Sequence, residues 1–267
     1  MRIKWLVQYD GRGLHGWQHQ REHGVALPTV QGLLAGALGQ MLGGMEIAPD
    51  SLVPAGRTDA GVHAWGQVVH VDVPKELPLM KFVDGMNRFL PPSVRVIRAA
   101  RVADDFHARF DAVARRYVYL LSDRRQLRPD LVGRVGHFSR PLDDVAMAAA
   151  LAKMGLGEMD CSGLRDAECQ GRHPFCEIIE HQVGRDGEGV IRLEIEANRF
   201  LHHMVRTLVG TLVLVGDGKQ PVDFLAQVLA NRDRRLAGAN FSPDGLYLAA
   251  VRYKPHREIE VAGSKEC

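Results

Sequence analysis

Residues 2–9 alternate, with Ile3, Trp5, Val7 and Tyr9 on one side, and this period of two predicts a β-strand. The period then changes. Over 29–43, Val30, Leu33, Leu34, Ala37, Leu38 and Met41 recur on one 3.6-residue face, and Thr29 stands where a helix N-cap belongs, just after Pro28. Strands near 50–55 and 66–73, a helix near 79–89 and a strand near 94–102 follow. The order βαββαβ is the ferredoxin-like arrangement. A second set follows, with a strand at 113–121, a helix at 141–154, and strands at 177–184 and 190–197. Helices at 201–215 and 221–230 and a strand at 246–253 complete it, while residues 156–176 fit neither period and read as an inserted loop. The expected fold is therefore α+β, with one half over 1–104, a second over 105–257, and a polar, flexible tail at 258–267.

Composition narrows the class. The 267 residues are 46% hydrophobic and 25% charged, as in ordinary soluble globular chains long enough for a large core. No apolar run is long enough to span a membrane, and Met1-Arg2-Ile3-Lys4-Trp5 lacks a signal-peptide pattern, so a cytoplasmic location is expected. Cys161, Cys169, Cys176 and Cys267 lack paired zinc-finger spacing and are expected as reduced thiols, a zinc site using His173 being the minor alternative.

A net charge of +2 does not by itself announce a nucleic-acid partner. Its distribution does more. Between Arg88 and Arg140 there are twelve Arg, no Lys and five Asp, with Phe110, Tyr117 and Tyr119 interleaved. Guanidinium forks match phosphate oxygens, so the stretch suits an RNA-facing surface, against the alternative of a merely solvated Arg-rich face.

The chemistry concentrates in residues 56–73. A polar turn carries Asp59 beside Arg57, bracketed by Gly56 and Gly61, and runs into the strand-like Val68–Val73. A loop that holds a carboxylate against an arginine between rigid flanks can house a nucleophile or general base, or it can be a capped turn. His15, His19 and His23 have the spacing of a helical metal face, but Gly11, Gly13, Gly16 and Gly24 argue for a polar loop. His202-His203 lacks a third ligand and reads as a helix start with one ring buried and one exposed. Gly216-Asp217-Gly218-Lys219 lacks the phosphate-loop spacing and reads as a helix end and turn.

The stretch Gly56-Arg57-Thr58-Asp59-Ala60-Gly61-Val62-His63 closely resembles the signature of the tRNA pseudouridine synthase A family. Further blocks match in family order: Tyr9-Asp10-Gly11 with Gly16-Trp17-Gln18, Thr29-Val30-Gln31-Gly32, Phe106–Asp111, Arg115–Tyr119, Asn198–Arg206 and Gly245–Leu248. The chain departs from the pattern at Leu164-Arg165, Cys169-Gln170, Cys176-Glu177 and Ser242-Pro243-Asp244, outside the signature.

The resemblance implies two ferredoxin-like halves forming an extended, largely antiparallel sheet flanked by helices, with a central basic cleft. It implies isomerisation of uridine to pseudouridine at tRNA positions 38, 39 and 40 in the anticodon stem-loop, without metal or cofactor, by a homodimer. Asp59 matches the catalytic aspartate, Arg206 its ion partner, Arg57 a second nearby arginine, and Tyr117 the active-site tyrosine that stacks on the uracil. Read from the residues alone, an ordinary sheet tyrosine is the stronger reading of Tyr117. The competing functions are an RNA or nucleoside N-glycosidase, which needs the same carboxylate, and a non-catalytic RNA-binding module.

Overall fold

The computed structural model describes residues 1–169, 171, 173–254 and 258–263. The chain divides into two compact units, Met1–Val113 with Leu248–Cys267, and Ala114–Tyr247. In the first, β1 (Arg2–Tyr9) leads through a small hairpin, β2 (Arg21–Glu22) and β3 (Val25–Ala26), into α1 (Val30–Met41). There follow β4 (Val53–Pro54), β5 (His63–Asp72), α2 (Leu79–Phe89) and β6 (Val94–Val102). The second unit runs β7 (Ala112–Ser122), β8 (Gly136–His137), α3 (Asp144–Ala152), β9 (Gly157–Asp160), β10 (Phe175–Arg185), β11 (Ile191–Ala197), α4 (Met204–Gly216) and α5 (Phe224–Asn231). The chain then returns to the first unit in β12 (Leu246–Tyr253) and β13 (Glu258–Gly263).

The first unit's sheet has the order β13-β6-β1-β5-β12, with β4 also on β5. Strand β1 is its middle, pairing antiparallel with both neighbours: Trp5 lies opposite Val69 of β5 and Ala99 of β6. The order β6-β1-β5-β4 is that of a ferredoxin-like half, as the sequence pattern predicts. Its second strand is rudimentary. A 3-10 turn opened by Pro49 (Pro49–Ser51) takes the start of the predicted strand, which shortens to Val53 and Pro54, with Ala55 N donating to Val68 O at 2.8 Å just beyond. Helix α1 begins where its cap predicts, Thr29 accepting a hydrogen bond from Gly32 N at 3.3 Å. Helix α2 buries Leu79, Phe82, Val83 and Met86, one face at i, i+3, i+4, i+7, and packs on β6 and α1.

The second unit repeats βαββα, with sheet order β7-β11-β10-β9 and β8 parallel on β7. Asp143 caps α3 by accepting from Ala146 N at 2.9 Å, which places the start inside the predicted 141–154. Part of the stretch expected to be loop is strand: β9 pairs with β10, Phe175 opposite Asp160, and Cys161 N continues the ladder to Pro174 O at 3.0 Å. Helix α4 starts at Met204, after His203 takes φ +59°, and it is buried nearly all round. The fold is α+β with largely antiparallel sheets flanked by helices. Of the tail expected to fray, Glu258–Gly263 forms β13 on β6, while 264–267, with Cys267, lie outside the described residues, as does Gln170. Among the described residues, no helix is long and apolar enough to cross a membrane.

Candidate active site

The signature loop joins β4 to β5, and its side chains alternate: Arg57 is exposed, Thr58 buried and Asp59 half-buried. Thr58 is the anchor. Its hydroxyl lies 2.8 Å from the Tyr9 phenol at the end of β1. Gln67, on β5, donates through Nε2 to the Tyr9 oxygen at 3.4 Å and to Gly56 O at 2.7 Å. The buried phenol oxygen is thus met by both the Gln67 amide and the Thr58 hydroxyl. Burial pushes the Tyr9 phenol up to about 12, so it stays neutral near pH 7.

The segment 10–17 backs the same loop. Trp17 N donates to Thr58 O at 3.0 Å and Gly61 N to Leu14 O at 3.2 Å, while Gly11 N reaches the buried His63 Nδ1 at 3.0 Å. The approach is close enough to require glycine. A Cβ on Gly11 would stand 2.3 Å from Val62 O. One on Gly16, whose φ is +79°, would stand 2.7 Å from Thr58 O and 2.9 Å from the Asp59 carbonyl carbon. Two strands and a glycine-backed turn thus fix the backbone from which Asp59 projects, which is how a loop carboxylate keeps one aim.

Arg57 and Asp59 share this loop in the first unit, while Tyr117 and Arg206 belong to the second. Tyr117 is half-buried on β7, opposite Ile195, with its ring edge-on to Phe200 at 4.9 Å and 82°. Arg206 lies in the first turn of α4, where its Nε donates to Phe241 O at 2.8 Å and its own carbonyl accepts from Phe241 N at 3.1 Å. His202 and His203 are both half-buried, their rings stacked at 3.8 Å, where one buried and one exposed were expected.

A polar cluster that pattern reading missed pins this helix start. Asp166 Oδ2 lies 2.8 Å from His203 Nδ1 and accepts from Asn240 Nδ2 at 3.2 Å, and Thr207 donates to Asn240 Oδ1 at 2.7 Å. The backbone N–H of Glu168, then His203 and Asn240, hold the Asp166 carboxyl well below the usual carboxylate range. Its members are scattered at 166, 203, 207 and 240, so spacing carries no signal. The contacts of Tyr9 and Gln67 with the loop were equally hidden, although Tyr9 itself stands in a matching block.

A sequence model of tRNA pseudouridine synthases matches residues 151–254. The chain is 47% identical over 257 residues to the tRNA pseudouridine synthase A of Dechloromonas aromatica, covering 96% of this chain and 94% of that one. It is 47% identical to the protein of that name from Burkholderia vietnamiensis, covering 95% and 90%, and 46% identical to that of Bordetella avium, covering 94% and 91%. Identity at this level over nearly the full length of both chains, on an α+β fold that keeps the signature loop, means that the chain belongs to the tRNA pseudouridine synthase family.

Proposed function

We propose that the protein is a tRNA pseudouridine synthase that isomerises uridine at positions 38, 39 and 40 of the anticodon stem-loop, with Asp59 as the catalytic nucleophile. The observation that carries this reading is the full-length identity to proteins of that name, 47% over 96% of the chain. The reaction breaks the N1–C1′ bond, turns the freed uracil and rejoins it through C5; the C5 hydrogen leaves as a proton and N1 takes one up. Atoms and electrons balance without an oxidant or phosphate donor. A carboxylate is needed because the sugar carbon becomes electron-poor as its bond to nitrogen loosens, as in glycoside cleavage.

Each remaining residue has a role in this reading. Arg206 serves as the cation that keeps Asp59 ionised, since a neighbouring positive charge favours the charged carboxylate. Arg57, exposed on the same loop, helps open the stem. Tyr117 stacks on the uracil and its hydroxyl assists removal of the C5 proton. The uridine must leave its helix to reach Asp59, at a cost of a few kcal/mol that phosphate contacts and stacking offset. The protein acts as a homodimer in the cytoplasm, both subunits gripping one tRNA.

Unmodified tRNA transcript carrying tritium at uridine C5 tests the proposal. Release of tritium with the chain intact is expected. Free uracil and abasic sites would identify an N-glycosidase instead, and binding without release would leave an RNA-binding module.

A further inference from the structure

A cavity of about 310 Å³ opens in the first unit against the signature loop's Arg57, and Asp59 is not among its walls. Val53, half-buried, gives it apolar surface between the buried Leu52 and Pro54, Gln18 and Asp50 line one wall, and Arg57 and Arg109 are among its other polar residues. Gln18 Nε2 donates to Asp50 Oδ1 at 3.0 Å, so the wall is an ordered amide–carboxylate pair. Next to Arg109, Phe110 is 77% exposed. That ring is held by His107, whose centroid is 4.3 Å away, and by the Arg109 guanidinium at 6.0 Å.

The mixture is selective. Two arginines attract phosphate, but a carboxylate on the wall repels a phosphate that would enter. A nucleobase resolves the conflict: its ring lies on the apolar surface, its hydrogen-bond donors meet Asp50, and its phosphates stay outside on the guanidinium groups. At the small end of ligand pockets, the cavity has room for one base and part of its sugar. Carboxylates accept from exocyclic amino groups, which adenine, guanine and cytosine carry and uracil lacks. The exposed Phe110 adds a face on which a neighbouring base can stack.

We infer that this cavity is a second nucleotide site, receiving an amino-bearing base of the same RNA whose uridine is turned at Asp59. The inference rests on the RNA-modifying reading above. It makes Asp50, Gln18 and Arg109 residues that place the substrate, and it assigns Arg57 a phosphate between the two sites.

The sign of one substitution decides the matter. Removing a carboxylate from a surface facing a polyanion tightens binding, unless that carboxylate accepts a hydrogen bond from the RNA. Filter binding of unmodified tRNA transcript should therefore weaken about tenfold for Asp50→Ala. Glu46→Ala, an exposed acid close by in sequence, should bind as the parent or more tightly. Melting curves confirm that both variants fold. Replacing nucleotides near the target one at a time by abasic residues should reveal one position where the parent loses about tenfold and Asp50→Ala loses nothing further. Parent-like or tighter binding by Asp50→Ala overturns the inference, and so does equal sensitivity of both proteins at every position. Weakened binding of free AMP or GMP with tRNA binding intact would also overturn it, by making the site one for a free nucleotide. Tritium release by the parent protein judges the catalytic reading separately, so either idea can fail alone.

Discussion

The Thr58 hydroxyl lies 2.8 Å from the phenol of Tyr9, forty-nine positions away along the chain, and this contact ties the signature loop to the middle strand of its sheet. Thr58 stands between Arg57 and Asp59, so the one inward side chain of the three sets the direction of the other two.

Loss of that hydroxyl should be felt in turnover. Thr58→Val keeps the shape but deprives a buried phenol of its hydroxyl partner, a defect worth about 1–3 kcal/mol. We expect a lower melting temperature and a single-turnover rate reduced about tenfold or more, since about 1.4 kcal/mol in a barrier is a factor of ten. Binding of tRNA should hold, and Thr58→Ser should recover most of the rate. A valine variant as fast as the parent would mean that the contact does not position Asp59.

Asp59→Asn should fold normally, bind tRNA and form no pseudouridine. The amide preserves size and most hydrogen bonding but cannot supply the negative charge that a developing C1′ cation requires. Turnover near the parent rate would reject Asp59 as the catalytic group.

Tyr117 has separable parts. Tyr117→Phe retains the ring and its edge contact with Phe200, so binding should hold while the single-turnover rate falls, if the hydroxyl moves the C5 proton. Tyr117→Ala should lose more, because stacking on a base is worth about 1–3 kcal/mol. If the phenylalanine variant keeps the parent rate, water or Asp59 takes the proton.

Asp166 gives a pH signature. Its carboxyl is depressed in the folded protein by Glu168 N–H, His203 and Asn240, so its stabilisation is complete above the unfolded value of about 3.9. That contribution declines as pH falls from there toward the folded value. Asp166→Asn should thus melt below the parent at pH 7, with the gap shrinking below about pH 4. A gap independent of pH across that range would assign the defect to lost shape instead of lost charge. Because the cluster holds the start of α4, the same variant should also slow turnover through Arg206.

Much of the fold was legible because period is a local property. The alternation of Ile3, Trp5, Val7 and Tyr9 reports one buried face of a strand, and the stripe from Val30 to Met41 reports one buried face of a helix, whatever each packs against. The predicted strand at 50–55 shrank to Val53 and Pro54 because the backbone there closes a prolyl turn, a conformation that hydrophobicity does not encode. Strand β9 was hidden for the opposite reason. Gly157–Asp160 is too short and polar to show a period, and it becomes a strand only because β10 offers it an edge.

The candidate site divides along the same line. The sequence by itself singled out Asp59 as the carboxylate to propose, since it sits in a long contiguous signature, and it offered Arg57, Tyr117 and Arg206 through blocks that match in order. It also determined that the loop would be tight, through Gly56 and Gly61. Only the tertiary structure decided what holds that loop still. Tyr9, Thr58 and Gln67 meet because β1 and β5 are neighbours in register, and Gly11 and Gly16 are required because the segment 10–17 closes on the loop's back. The cavity beside Arg57 arises in the same way, from Gln18, Asp50 and Arg109, which share no motif. Hydrogen bonds between distant residues and the space left between loops depend on three-dimensional proximity, and no pattern along a single chain records it.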